Sequence, residues 1–185
     1  MNSVKRIAVV QGAATAVVQD LLRRFVVRLE RDVRLAGVIE DPAPPEEGPC
    51  SGGDLRSLGD GRRFPLMQDL GPGAVACRLD ADGVVSAAEA VQQGIAAGCD
   101  LVILNKFGKI EAERGGLAPA FASAIEAGLP ILTSVSPKFA EAWDRFAAPL
   151  YVVLPPDADA LEAWWRGVGA GAGAATPREG EARSC

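Results

Sequence analysis

Histidine is absent from this 185-residue chain, and the four cysteines, Cys50, Cys77, Cys99 and Cys185, include no Cys-x-x-Cys pair. Zinc sites draw on those two residue types at short spacings, so no metal centre is expected. No apolar run approaches the roughly 20 residues that span a bilayer. Arg6 is followed by only Ile-Ala-Val-Val before Gln11, too short for the apolar segment of a secretory signal. These absences set the expectation of a cytoplasmic protein with no membrane partner, where free thiols are the norm. Cys99 stands just ahead of an apolar run and is expected in the core, whereas Cys50 and Cys77 fall in loops and read as unpaired thiols. Positive charge is also scarce: the formal net charge is −5. That argues against general nucleic-acid binding and leaves any basic site to a local cluster.

What is present is enough apolar residue for a real core, 49% of the chain, at a length that suits one domain. Residues 4–10 read as a short buried strand. Val18, Leu21, Leu22, Phe25 and Leu29 then recur at three and four residues, one face of a helix. A second apolar run covers 34–39, and 40–53 is a loop with four prolines and three glycines. Residues 55–58 and 63–67, joined through Gly59-Asp60-Gly61, read as a hairpin. Ser86 and Glu89 have the spacing of a capping box, which starts a helix there, with Val91 and Ile95 inward and Gly98 at its end. Strands follow at 101–104, 130–135 and 150–154. Between and after them come helices carrying Leu117, Phe121 and Ile125, then Phe139, Trp143 and Phe146, then Leu161, Trp164 and Trp165. Ser136-Pro137 and Asp157 start the last two. The adjacent Trp164 and Trp165 cannot both face one core, which places one at a helix edge or a subunit contact and allows for a homo-oligomer. Eight of the nine residues 167–175 are glycine or alanine, so 167–185 reads as a disordered tail after a single domain at 1–166. Alternating strands and helices give an α/β fold of three layers, α/β/α, with a mainly parallel sheet and a small β-hairpin insertion.

Ligands of open α/β sheets sit beyond the carboxyl ends of the strands, where four loops fall: 11–15, 40–53, 105–116 and 134–136. The first follows a strand and opens a helix, the layout of a phosphate-binding loop. Only Gly12 of Gly-x-x-x-x-Gly-Lys-Ser/Thr is kept; Val17 and Val18 stand for the second glycine and the lysine, and the hydroxyl is missing. The backbone of Gly12, Ala13, Ala14 and Thr15 can still offer N–H groups to an anion. In the third loop Lys106, Lys109 and Arg114 concentrate positive charge, either as an anion rim or as a solvated loop paired with Glu111 and Glu113. Arg78 follows a Gly-Pro-Gly turn beside Cys77. It either forks onto an oxyanion or pairs with Asp80. The candidate ligand set is therefore Gly12, Ala13, Ala14, Thr15, Arg78, Asp80, Asn105, Lys106, Lys109 and Glu111, with no catalytic residue and no metal ligand.

The stretches "GGDLRSLGDGRRFPLMQDLGPGAVACRLD" (52–80) and "DLVILNKFGKIEAERGG" (100–116) resemble a bacterial family of unknown function related to P-loop nucleoside triphosphatases of the thermophilic nucleotide-phosphatase type. The resemblance implies a P-loop NTPase-like fold over nearly everything up to Trp165. In active relatives the second segment looks like Asp-Glu-Ile-Gly-x-Met-Glu after a strand. Carried across, Asn105 stands for the magnesium-side acid and Lys106 for the catalytic one, while Gly108 and Glu111 are kept. Both Walker motifs are thus degenerate. The family also looks like a neighbour of molybdate transport genes, which implies molybdate, tungstate or another oxyanion. Three functions follow as expectations: a non-catalytic protein binding an oxyanion (molybdate, tungstate, phosphate) or a nucleotide; a nucleoside-triphosphate hydrolase or transferase with unconventional residues; and an interaction scaffold with a vestigial site. The lost acids, the retained rim of lysines and arginine and the free helix N–H groups favour the first, with a small anion as partner.

Overall fold

In the computed structural model the described residues are 4–42, 53–68 and 78–173. Cys50 and Cys77, expected as unpaired thiols, lie outside them, as does Cys185. The elements are β1 (Ile7–Val10), α1 (Thr15–Leu29), β2 (Leu35–Asp41), β3 (Asp54–Ser57), β4 (Arg63–Pro65), α2 (Ala81–Ala97), β5 (Leu101–Phe107), α3 (Lys109–Ala112), α4 (Ala118–Glu126), β6 (Ile131–Val135), a 3-10 turn at Pro137–Phe139, α5 (Ala140–Ala147), β7 (Tyr151–Leu154) and α6 (Ala158–Gly173).

One seven-stranded sheet has the order β4-β3-β2-β5-β6-β1-β7. The five strands from β2 to β7 in that order pair in parallel, and β3 and β4 add an antiparallel hairpin at one edge. This is the α/β class and the hairpin insertion that the alternating pattern implies. Parallel strands are covered on both faces, which is why β1, β5 and β6 are near-continuous apolar runs.

The two faces differ in chemistry. α1 and α6 cover one with a mainly aliphatic layer, Val18, Leu22, Val26 and Leu161 against Ala8, Val10, Ile103 and Leu132, joined by Phe25 and Trp164. α2, α4 and α5 cover the other, where Phe107, Phe121, Trp143 and Phe146 meet with ring centroids 5.0–6.2 Å apart. Cys99 is buried, as expected, and that burial pushes its thiol upward, to the less reactive side.

Three expectations are corrected. α2 begins at Ala81, not at Ser86, because Asp80 caps it: its carboxylate accepts from the Gly83 N–H at 2.8 Å. The Ser86/Glu89 spacing lies inside the helix. β5 continues three residues past Leu104, so Asn105 and Lys106 are strand residues, not loop. The chain stays helical through Gly173, seven residues into the expected tail, because Val168 is 5% exposed and packs into the aliphatic layer. Residues 174–185 lie outside the described ones. Trp164 is buried and donates its indole N–H to the Lys5 carbonyl at 2.8 Å, while Trp165 is partly buried at the helix edge.

Candidate anion-binding site

β1 and β6 are neighbours, yet the chain leaves β1 for the aliphatic face (α1) and β6 for the aromatic face (α5). Where adjacent strands send their connections to opposite faces, a crevice opens at their carboxyl ends. A cavity of about 50 Å³ lies there, walled by Gly12, Ala13 and Thr15 after β1, by Ser134 and Ser136 at the end of β6, and by Lys106 from β5.

Each wall has a local cause. Gly12 sits at φ 107°, a conformation that side-chain-bearing residues rarely adopt, and this turns the chain from β1 toward α1. α1 then starts without a side-chain cap: Ala14 offers only its carbonyl, which accepts from Val17 (3.0 Å) and Val18 (3.2 Å). The N–H groups of Thr15 and Ala16 meet no acceptor among the described residues. Such groups at a helix start carry partial positive charge and favour an anion. Lys106 adds a full charge; it is partly buried and makes no ion pair among the described residues. No carboxylate lines the cavity.

Behind this wall stands Gln19, a residue the sequence reading missed. It occupies the position of the missing phosphate-loop hydroxyl and is 4% exposed. Its Nε2 donates to the Asn105 carbonyl at 2.7 Å and to the Ser134 hydroxyl at 3.3 Å; Ser134 donates to the same carbonyl at 2.9 Å. Oε1 of Gln19 is buried without a partner. A polar residue on the apolar stripe of α1, between Val18 and Leu22, was the available signal.

The remaining candidates separate. Asn105 is buried and lies at the centre of the Gln19–Ser134 network through its carbonyl. Lys109 is exposed at the start of α3 and lines a second cavity with Lys106. Glu111 is 8% exposed, and both its oxygens are occupied: Oε2 accepts from the Gly108 N–H at 3.0 Å and Oε1 from the Leu117 N–H at 3.1 Å. Gly116, at φ 56°, passes so close that a Cβ there would lie 2.5 Å from Glu111 Oε1. Glu111 closes its own loop instead of facing an anion or pairing with Lys106 or Lys109. Asp80 caps α2. Arg78 is exposed, holds Gln68 N–H with its backbone carbonyl at 2.8 Å, and lines neither the switch-point cavity nor the cavity beside Lys109. It makes no ion pair with Asp80. The structure therefore brings Gly12, Ala13, Thr15 and Lys106 together, sets Asn105 behind them, and leaves Arg78 and Asp80 apart. Ala14 contributes the helix-starting carbonyl. No group of three or more metal-binding side chains occurs among the described residues.

The strand order and switch point give an α/β fold of the P-loop NTPase-like kind. The solved structure of THEP1 from the hyperthermophile Aquifex aeolicus has the same fold, with a TM-score of 0.52 over 83% of this chain and 90% of that one at 11% identity. The chain belongs to the family described as "Protein of unknown function (DUF2478)", whose model matches residues 7–164. It is also similar to the Molybdenum import ATP-binding protein ModC 2 of Bradyrhizobium diazoefficiens, 40% identical over 133 residues; the match covers 72% of this chain and 15% of that relative's length. No helix among the described residues is long and apolar enough to cross a membrane.

Proposed function

We propose that this protein binds a small tetrahedral oxyanion without catalysing its transfer, on a P-loop NTPase-like fold that has lost its metal-holding groups. The observation that carries this reading is the lining of the switch-point cavity: a lysine, uncapped helix N–H groups and serine and threonine hydroxyls, with no acid among them. Phosphoryl transfer relies on a magnesium ion bridging phosphate oxygens, held by a hydroxyl and an acid. Here Gln19 fills the hydroxyl position with its amide already bonded to Asn105, and the two strand-end acids are a neutral Asn105 and a cationic Lys106. Both changes disfavour a divalent cation and favour an anion bound directly.

Size points the same way. A cavity of about 50 Å³ takes one compact ion, while sites for drug-sized molecules run about 300–1,000 Å³. Molybdate and tungstate are dianions of this shape. The similarity to a chain named for molybdenum import supports them over sulfate or phosphate. A nucleotide enters this reading only as a source of a terminal phosphate.

Calorimetric titration with molybdate, tungstate, sulfate and phosphate, and with ATP and GTP with and without magnesium, tests the proposal. Oxyanion binding at millimolar concentration or tighter is expected, indifferent to magnesium and weakened about ten- to a hundredfold in Lys106→Ala, the loss of one charge-assisted contact. Failure of every oxyanion to bind at millimolar concentration overturns it. So does magnesium-dependent ATP hydrolysis at about 1 per second or faster.

A further inference from the structure

Lys106 lines two cavities. Besides the switch-point cavity it borders a second of about 300 Å³, enclosed between β2, the β3–β4 hairpin, the start of α2 and the β5–α3 corner. The second cavity is unlike the first. Its walls are mainly apolar: Leu55, Leu66, Met67, Leu79, Val84 and Leu117. Leu55, Val84 and Leu117 are themselves buried at 1%, 4% and 2% exposure, so the floor is part of the aromatic-face core.

Besides the two lysines, Glu40, Asn105 and Glu111 interrupt these walls, and both Glu111 oxygens are already taken by the Gly108 and Leu117 N–H groups. Asn105 is 6% exposed, and its side-chain amide donates no hydrogen bond among the described residues. The residue lines the wall of the recess. An unpartnered amide at the edge of an apolar recess is costly unless a ligand or water satisfies it. A largely apolar recess with a few converging polar groups is the ordinary form of a small-molecule site.

We infer that the two cavities hold one ligand, an organic monoester of a tetrahedral oxyanion, with its charged end at Lys106 and the α1 start and a body of about one ring system in the apolar recess. The inference rests on the oxyanion reading above and adds the substrate class to it. Three features carry it: the shared lysine, the contrast between an acid-free polar cavity and an apolar one, and the unpartnered Asn105 amide between them. Lys109, on the rim of the recess, adds positive charge where the ester enters. Glu40 and the Asn105 amide select a ring that carries a hydrogen-bond donor and an acceptor over a bare hydrocarbon.

Phenyl phosphate, inorganic phosphate and phenol, titrated into the full chain by calorimetry, provide the test. Phenyl phosphate should bind at least about tenfold more tightly than inorganic phosphate, since burying a ring adds apolar area removed from water. Phenol alone should bind far more weakly than either. Molybdate should displace phenyl phosphate. Met67→Trp, which fills the recess from a partly exposed wall, should erase the preference for the ester and keep inorganic phosphate affinity unchanged. Asn105→Asp, which sets a negative charge between the cavities, should weaken both phosphates. If inorganic phosphate and molybdate bind and respond to Lys106→Ala, but phenyl phosphate gains nothing, the ester inference fails and the oxyanion reading stands. A preference for the ester that survives Met67→Trp in a folded protein also sinks the inference. If no phosphate or oxyanion binds, both fall.

Discussion

The turn after β1 and the turn after β5 leave the same edge of one sheet, and each enters a helix, but they treat their backbone N–H groups in opposite ways. Residues 11–14 are small and nearly uncharged, and α1 begins with donors that nothing in the described chain accepts from. Residues 108–117 hold two acids and two bases, yet Glu111 takes the Gly108 and Leu117 N–H groups for itself. The bland turn is therefore open to an anion, and the charged turn is internally satisfied. Charge density along a sequence reports solvation; free donors at an uncapped helix start beside a lysine report capacity to bind. Only Lys106, placed by the strand before the charged turn begins, carries charge from one to the other.

The largest expected effect follows from breaking the satisfied turn. Glu111→Ala removes two charge-assisted acceptors and leaves two buried N–H groups without partners. It should cost roughly 3–5 kcal/mol, a fall in Tm of about 10 °C for a domain of this size. A thermal scan in which the variant melts within 2 °C of the wild type would show that Glu111 does not hold the loop. The open turn should respond in the other way. Lys106→Ala is expected to leave Tm within about 2 °C and to weaken oxyanion binding about ten- to a hundredfold. Lys109→Ala, at an exposed position, should weaken it by no more than about threefold, and Arg78→Ala should not change it. Equal losses for all three in one titration series would mean that the charged turn, not the uncapped one, binds the anion.

A smaller effect tests the support beneath the open turn. α6 packs beside Val10 and Val18 through Leu161, Trp164 and Val168. Truncation after Arg166 removes Val168 and should lower Tm by about 2–6 °C, from the roughly 1.5 kcal/mol of burying a valine. An unchanged melt would restore the view of 167 onward as a dispensable tail.

The smallest effect lies at the opposite edge of the sheet, which serves as a control for the comparison. The Arg34 guanidinium bonds both oxygens of Asp100, at 3.1 and 2.8 Å, and holds its carboxyl below the ordinary aspartate range. The folded value is lower than the unfolded one, so this stabilisation is complete above about pH 4. It is lost as pH falls through the folded value. Both partners are well exposed, so Asp100→Asn should cost less than about 1 kcal/mol at pH 7. The gap to wild type should close toward pH 2 in melts that leave oxyanion affinity at pH 7 unaltered.

The helices were legible where burial has a period. Val18, Leu21, Leu22, Phe25 and Leu29 mark the buried stripe of α1 without ambiguity. Two local signatures misled for physical reasons. Ser86 and Glu89 have the right spacing for a cap, but Asp80 reaches the Gly83 N–H one turn and more earlier, and Gly83 reads as a breaker when its neighbours are unknown. The glycine-rich end of α6 has poor intrinsic propensity, and a single buried valine, held by tertiary packing, outweighs it. Of the site, the sheet edge and the β1 turn could be read from strand–loop–helix order. What could not be read was where each charge goes: whether Glu111 faces ligand or backbone is decided by the fold of residues 108–117, and Gln19 looked like an ordinary polar residue on a helix.

Gln19 also supplies a built-in spectroscopic reporter. One side-chain amide group bridges α1 to the carbonyl of Asn105 on β5 and the hydroxyl of Ser134 on β6, out of reach of solvent. Its two protons should exchange slowly with deuterium and resonate away from those of exposed glutamines. An anion drawn against Ser134 and the start of α1 would alter the hydroxyl that shares this bridge, so occupancy of the cavity would register as a shift in a single pair of amide signals.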